Sequence, residues 1–351
     1  MEILVYGIIN SVMLSLLSLG FALVYSIARV PNFAHGAFYI GAGYVTWLLL
    51  NKLGLPFVPS LIVGLAATSA AGALMYRFII IRIRGLEISE IIGTYAIGLA
   101  VIEGLRWGGL RGMTYTLPVF FPGSTELWGV TVDYQRLIIV GAGILIFLSL
   151  FFFTRYHRIG LALRGIAQDE RAAMMLGIDS DMTALISLGL GSGLAGFAAI
   201  LLLPLGNIVV EQGYTVLIFA VAVCVIGGLG SWGGTVVASF IIGFAQILTE
   251  TFVSSHFVMV VALLAIIVTL LIRPSGIFGK QKQLPETVCA FPLFLGKGIG
   301  APDGLRLVVL LVKHVEMSGP AFSLQHIVLG EAKESFRDLA LVELAADDDD
   351  V

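Results

Sequence analysis

Side chains able to do acid–base, nucleophilic or metal chemistry are few in this chain and far apart. The five histidines, His35, His157, His256, His314 and His326, share no ligand spacing, so each reads as an interfacial or solvated side chain. No Gly-x-x-x-x-Gly-Lys-Ser/Thr stretch occurs to cradle a phosphate, and no His-Glu-x-x-His, Gly-x-Ser-x-Gly elbow or pair of membrane acids supplies a hydrolytic centre. Cys224, in an apolar run, and Cys289 offer neither a disulfide framework nor a metal site. What the chain does concentrate is charge, in RYHRIGLALRGIAQDERAAMMLGIDSD, Arg155 to Asp181, which lies between two long apolar runs. There Asp169 is placed to cap a short helix that begins at Glu170, with Ala172, Ala173 and Leu176 on one face and Gly177 positioned to end it. A helix that short is marginal in water, where about 12 to 15 residues are needed, so it must dock against something. It is either an amphipathic connector resting on its own chain or a helix offered to a partner.

The elements around that insert are set by composition. At 58% hydrophobic, 12% charged and a mean hydropathy of +1.00, against about 25% charged in soluble proteins, this is a membrane protein. Residues 1 to 282 carry 15 Lys/Arg against 12 Asp/Glu, and residues 283 to 351 carry 5 against 11, so the C-terminal stretch alone makes the chain acidic. Nothing at Met1-Glu2 resembles the basic leader of a signal peptide, and the first apolar run is expected to be retained as a span. Runs of about 17 to 25 apolar residues predict nine spans, near 3–27, 33–50, 57–81, 88–107, 134–153, 183–205, 214–230, 234–253 and 256–272, the second and seventh having the least pronounced signal. The expected fold is therefore an all-α, polytopic transmembrane bundle of eight or nine helices. Eleven Lys/Arg of the connections fall on one side and only Lys52, Arg106, Arg111 and Arg136 on the other, which predicts an outside N-terminus and a cytoplasmic C-terminus. The charged insert is then cytoplasmic. Arg111 to Asp133 is expected as an outer loop at the membrane surface, which either meets a partner or caps the bundle.

Polar residues inside spans are costly in lipid and should face the bundle interior or a solute path. Asn10, Ser11, Ser15 and Ser18 form a stripe on the first span, which either brings helices together or faces a solute. Two Gly-interrupted segments, 31–44 and 227–235, mark corresponding breaks of the kind found at translocation sites. They nominate Asn32, His35, Gly36, Gly228 and Gly230, with Asn10 and Gln246, as path residues; the alternative is a plain helix start with an interfacial histidine. Glu103 and Arg106 are spaced to pair. Glu211, in an outside turn, and Glu250, near an outer span end, are candidates for extracytoplasmic contact or simple interfacial charges. The small residues of GLGSGLAG, Gly189 to Gly196, suit close helix packing.

Four stretches carry a resemblance. ERAAMMLGID, Glu170 to Asp179, resembles the Glu-Ala-Ala-x-x-x-Gly motif of ABC importer permeases, with Arg171 inserted after the glutamate. RVPNFAHGAFYIGAGYV, Arg29 to Val45, is similar to the Asn-Phe-Ala-His-Gly segment of branched-chain amino acid permeases of the LivH type. VIGGLGSWGGTVVASFIIG, Val225 to Gly243, and IRPSGIFG, Ile272 to Gly279, resemble that family's Gly-rich turn and closing Arg-Pro-x-Gly motif. The resemblance, spread in order over residues 1 to 279, implies an inner-membrane importer half with no ATPase site of its own. It would take a branched-chain amino acid, or a related solute such as urea, from an extracytoplasmic binding protein. ATP would be bound by two separate cytoplasmic ATPase subunits, and the second permease would be a LivM-like subunit or a homodimer mate. Nucleic acid is not an expected partner, and no cofactor is expected in the chain. In such an assembly Arg164 to Gly177 would seat the ATPase, with Arg164, Asp169, Glu170 and Arg171 setting register and Ala172, Ala173 and the following Met-Met-Leu supplying apolar burial.

Family members end soon after the Arg-Pro-x-Gly motif, so the permease domain is placed at residues 1–279 and a cytoplasmic extension of unassigned function at 280–351. Its last residues, ESFRDLALVELAADDDDV, suggest a short helix running into an acidic disordered end. Two rival readings are a self-sufficient secondary transporter or channel, and a membrane scaffold that moves nothing.

Overall fold

The structure, a computed structural model, describes residues 1–279 apart from 30, 111–113 and 274, and apart from the side chain of residue 87. The expectations for the extension, for Arg111 and for the proline of the closing motif lie outside the described residues. Twelve α-helices are described, with a two-stranded hairpin between α5 and α6. In order they are α1 (Glu2–Ala28), α2 (His35–Asn51), α3 (Phe57–Met75), α4 (Ile81–Ile83), α5 (Glu87–Leu105), α6 (Tyr134–Tyr156), α7 (Arg158–Gln168), α8 (Glu170–Met175), α9 (Ser180–Leu202), α10 (Val210–Gly227), α11 (Trp232–Phe252) and α12 (Val258–Ile272). A π turn at Tyr76–Ile80 joins α3 to α4, and another at Arg106–Leu110 prolongs α5.

Eight of these helical segments are long and apolar enough to cross a membrane. The 17 residues of α2 give about 26 Å at 1.5 Å per residue, just short of a bilayer core of about 30 Å. Its flanks nevertheless lie at opposite ends of the bundle. Arg29, just before α2, reaches the Ala167 carbonyl at the end of α7, whereas Phe57, just after it, stacks edge-on against Phe120 near the hairpin. α2 therefore traverses the molecule, and the nine expected spans are all present as helices. Their bounds shift by a few residues where backbone chemistry intervenes; α10, for example, ends at Gly227 because Gly228 turns the chain at φ 96°.

α1 is the central helix. It packs against α11, α9, α10 and α6, and 83% of its apolar window is buried, against 22% for α3, α5 and α6. Small residues permit this crowding. A Cβ on Gly20 of α1 would strike the Gly191 carbonyl of α9, and one on Gly36 of α2 would strike the Gly213 carbonyl of α10. The expected stripe on α1 is buried between helices: Asn10 Nδ2 donates to Gln246 Oε1 at 3.0 Å and to the Gly243 carbonyl at 3.2 Å, and Ser11 donates back to Gly7 at 2.6 Å. Gly189 and Gly193 of α9 lie against Ser69 of α3, whose hydroxyl donates to the Gly189 carbonyl at 2.9 Å.

Of the two readings of the outer stretch, the structure bears out capping, with part of the expected loop formed as strands. Ser124–Leu127 and Val130–Asp133 form an antiparallel hairpin, β1 and β2, turned by Trp128 (φ 51°) and Gly129 (φ 77°). Val130 and Val132 point inward onto Val5 and Ile9 of α1, so half of the supposed loop is a lid packed on the bundle end. Glu211 also moves, from a turn into the first turn of α10, where its charge faces a helix N-terminus.

Candidate functional site

The charged insert folds into two helices rather than one. α7 is amphipathic: Leu163 and Ile166 are buried with Leu23 and Ile27 of α1, next to Trp232 of α11 and Phe153 of α6, while Arg164 is exposed. His157 caps α7 through Nδ1, which accepts from Ile159 N–H at 3.3 Å. Asp169 caps α8 as expected, accepting from Ala172 N–H at 3.1 Å, and Gly177 ends it at φ 83°.

The apolar side of α8 is not the one read from spacing. Ala173 is buried, but Ala172 and Leu176 are exposed, because the helix stops after Met175 and the chain turns Leu176 outward. Met174, Met175 and Leu176 are 47, 88 and 84% exposed and form a projecting apolar tip. Exposed Arg164 and Arg171 accompany it.

Glu170 faces its own chain. Its carboxylate meets Arg84, at the end of α4, at 2.8 Å, and accepts a short hydrogen bond from Ser180 Oγ. The other arm of Arg84 binds Asp181, which also accepts from Tyr76 Oη at 2.9 Å. Partial burial works against the Arg84 charge, but neighbouring Tyr76, Asp181 and Glu170 outweigh it and hold its pKa above the ordinary value. Sequence reading counted Arg84 only as one more positive loop residue. Its partners Glu170, Ser180 and Asp181 lie 86, 96 and 97 positions away, and no local pattern signals them.

At the same end lie both Gly-interrupted segments. Asn32 Oδ1 accepts from Ala34 N–H at 3.1 Å and starts α2. His35 is buried rather than interfacial, its Nε2 lying 2.8 Å from the Leu17 carbonyl of α1. Gly228 and Gly230, both with positive φ, form the turn between α10 and α11. The segment after α12 docks there: Ile277 N–H donates to Ile226 at 2.8 Å and Phe278 N–H to Gly227 at 3.1 Å. The Gly-rich turn and the closing motif are thus one interlocked structure. Gly36 serves the α2–α10 approach and Gln246 the α1–α11 contact, so the path candidates are spread across helix interfaces and do not converge on one cavity. Glu250 is exposed. At the opposite end Arg106 bridges Glu103 at 2.9 Å, as its spacing indicated, and Glu211 at 3.4 Å.

Residues 3–270 match the family described as branched-chain amino acid transport system, permease component. The chain is 28% identical to the high-affinity branched-chain amino acid transport system permease protein BraD of Pseudomonas aeruginosa, over 80% of this chain and 95% of that protein. It is 32% identical to the probable branched-chain amino acid transport permease protein LivH of Methanocaldococcus jannaschii, over 80% and 94%. LivM of Salmonella typhimurium is 26% identical over 75% of this chain and 67% of its own length. The family match runs from the first turn of α1 into the last turn of α12 and takes in the capped α8, the Asn32–His35 helix start and the Gly228 turn; the chain belongs to the branched-chain amino acid transport permease family and is an ABC importer permease subunit.

Proposed function

We propose that this subunit carries branched-chain amino acids inward, that the α7–α8 end of the bundle is cytoplasmic, and that its N-terminus lies outside. The chain hydrolyses nothing itself. Two ATPase subunits bind the ATP and seat on Arg164 to Gly177, a LivM-like subunit or a second copy completes the pathway, and an extracytoplasmic binding protein delivers substrate at the hairpin end, near Glu211 and Glu250. The observation that carries the reading is the tip of α8. Met174, Met175 and Leu176 stay exposed at the end of a helix that buries only Ala173, and Arg164 and Arg171 of the same insert are exposed with them. Such a patch at a bundle end calls for a protein partner. The excess of Lys/Arg connections at this end supports its cytoplasmic placement, and the names of the relatives support the substrate class.

The complex is purified in mild detergent and reconstituted in vesicles, and leucine uptake is followed with and without ATP. Copurification of an ATPase with ATP-dependent uptake is expected. Leucine flux through the chain alone, driven by an ion gradient, sinks the proposal and restores the secondary-transporter reading.

A further inference from the structure

We propose that Arg84 is a positioning residue that carries displacement of α8 into the α3–α4 span, acting as a two-pronged joint. The inference rests on the reading of α7–α8 as the ATPase seat. α8 buries one side chain, Ala173, so little apolar surface fixes it to the bundle. Its first turn is held instead by Arg84. Nη2 reaches Glu170 Oε1 at 2.8 Å and Ser180 Oγ at 2.5 Å, while Nη1 reaches Asp181 and, at 3.1 Å, Tyr76 Oη. One planar guanidinium thereby engages α8 and the first turn of α9, and its own backbone closes α4.

Two further observations locate the part that moves. The π turn at Tyr76–Ile80 separates α4 and Arg84 from the body of α3, and such turns mark bends and functional irregularities in helices. Tyr76 begins that turn and is itself bonded to Asp181, so the joint and the bend share a residue. Beside them a small cleft is lined by Tyr76, Ile80, Arg84, Asn32, Glu90 and Thr94, among others. Asn32 is 1% exposed and its Nδ2 has no hydrogen-bond partner. The cleft wall thus carries one buried amide nitrogen without a protein partner in the observed arrangement.

The test uses the whole complex with its ATPases in vesicles, with leucine uptake measured beside ATP hydrolysis. Arg84→Lys keeps the charge but replaces the planar fork with a point charge that cannot span two carboxylates in the same way. The expected result is normal assembly, unchanged ATP hydrolysis and at least a fivefold fall in leucine moved per ATP. Arg84→Cys with Glu170→Cys, in a Cys289→Ser background, is expected to be uncoupled when reduced. Bridging the two thiols with a short flexible bis-methanethiosulfonate, each arm of which forms a disulfide with one cysteine and releases methanesulfinate, should recover most of the uptake per ATP. Unchanged uptake per ATP in Arg84→Lys, or a bridge that restores nothing, overturns the proposal; if Arg84→Lys fails to assemble, the bridged pair decides. Uptake without ATP in the unaltered complex refutes the ATPase reading itself, which separates the two failures.

Discussion

Replacing Met175 and Leu176 together by alanine isolates the partner-facing role of α8 from its role in the fold. Both side chains are almost wholly exposed, so truncation should change the stability of the permease by no more than about 0.5 kcal/mol. The same side chains seated in a groove behave differently. Each change removes three heavy atoms, and at about 0.8 kcal/mol per buried methylene a fully enclosed residue would lose about 2.4 kcal/mol. Half-enclosure of both gives about 2.4 kcal/mol in total, or about fiftyfold in affinity at about 1.4 kcal/mol per decade. The assay is titration of the solubilised permease complex with its ATPase subunit, with thermal unfolding of the permease as the control. A Kd within twofold of the unaltered protein, at unchanged Tm, refutes the assignment of α8 as the seat.

Gly36→Val places two methyls and a Cβ against the Gly213 carbonyl, and overpacking of this kind should lower stability by about 1 to 3 kcal/mol, read as a fall in Tm in detergent with α2 and α10 loosened to hydrogen exchange. Asn10→Leu, Gln246→Leu and the double variant form a cycle on the α1–α11 contact; a coupling of about 0.6 to 1.7 kcal/mol is expected for a hydrogen bond between membrane helices, and a coupling near zero denies that the pair holds the helices together.

Much of the bundle was legible because lipid imposes a long apolar run on every crossing, and the caps at Asp169 and Gly177 were legible because they are local chemistry. The hairpin also left a local signal, Trp128-Gly129 ahead of alternating Val130 and Val132, but it was outweighed by the Pro and Gly residues of the surrounding stretch. α7 went unseen as a separate helix because its neighbour's cap dominated the insert. The outward turn of Leu176 depends on where the helix stops, within one residue of a position that spacing alone cannot fix. Arg84 could not be read at all: its meaning comes from three residues on elements far along the chain.

The burial of α1 has a consequence for biogenesis. The helix that leaves the ribosome ahead of all other described spans is the one most enclosed at the end, and the amide of Asn10 waits 236 residues for Gln246. Until α11 is made, that amide must be accommodated by lipid headgroups, by the insertion machinery or by a temporary neighbour. A nascent chain arrested before α11 should thus display the unsatisfied Asn10 amide inside the bilayer, a mark by which quality-control proteases can tell an unfinished permease from a complete one.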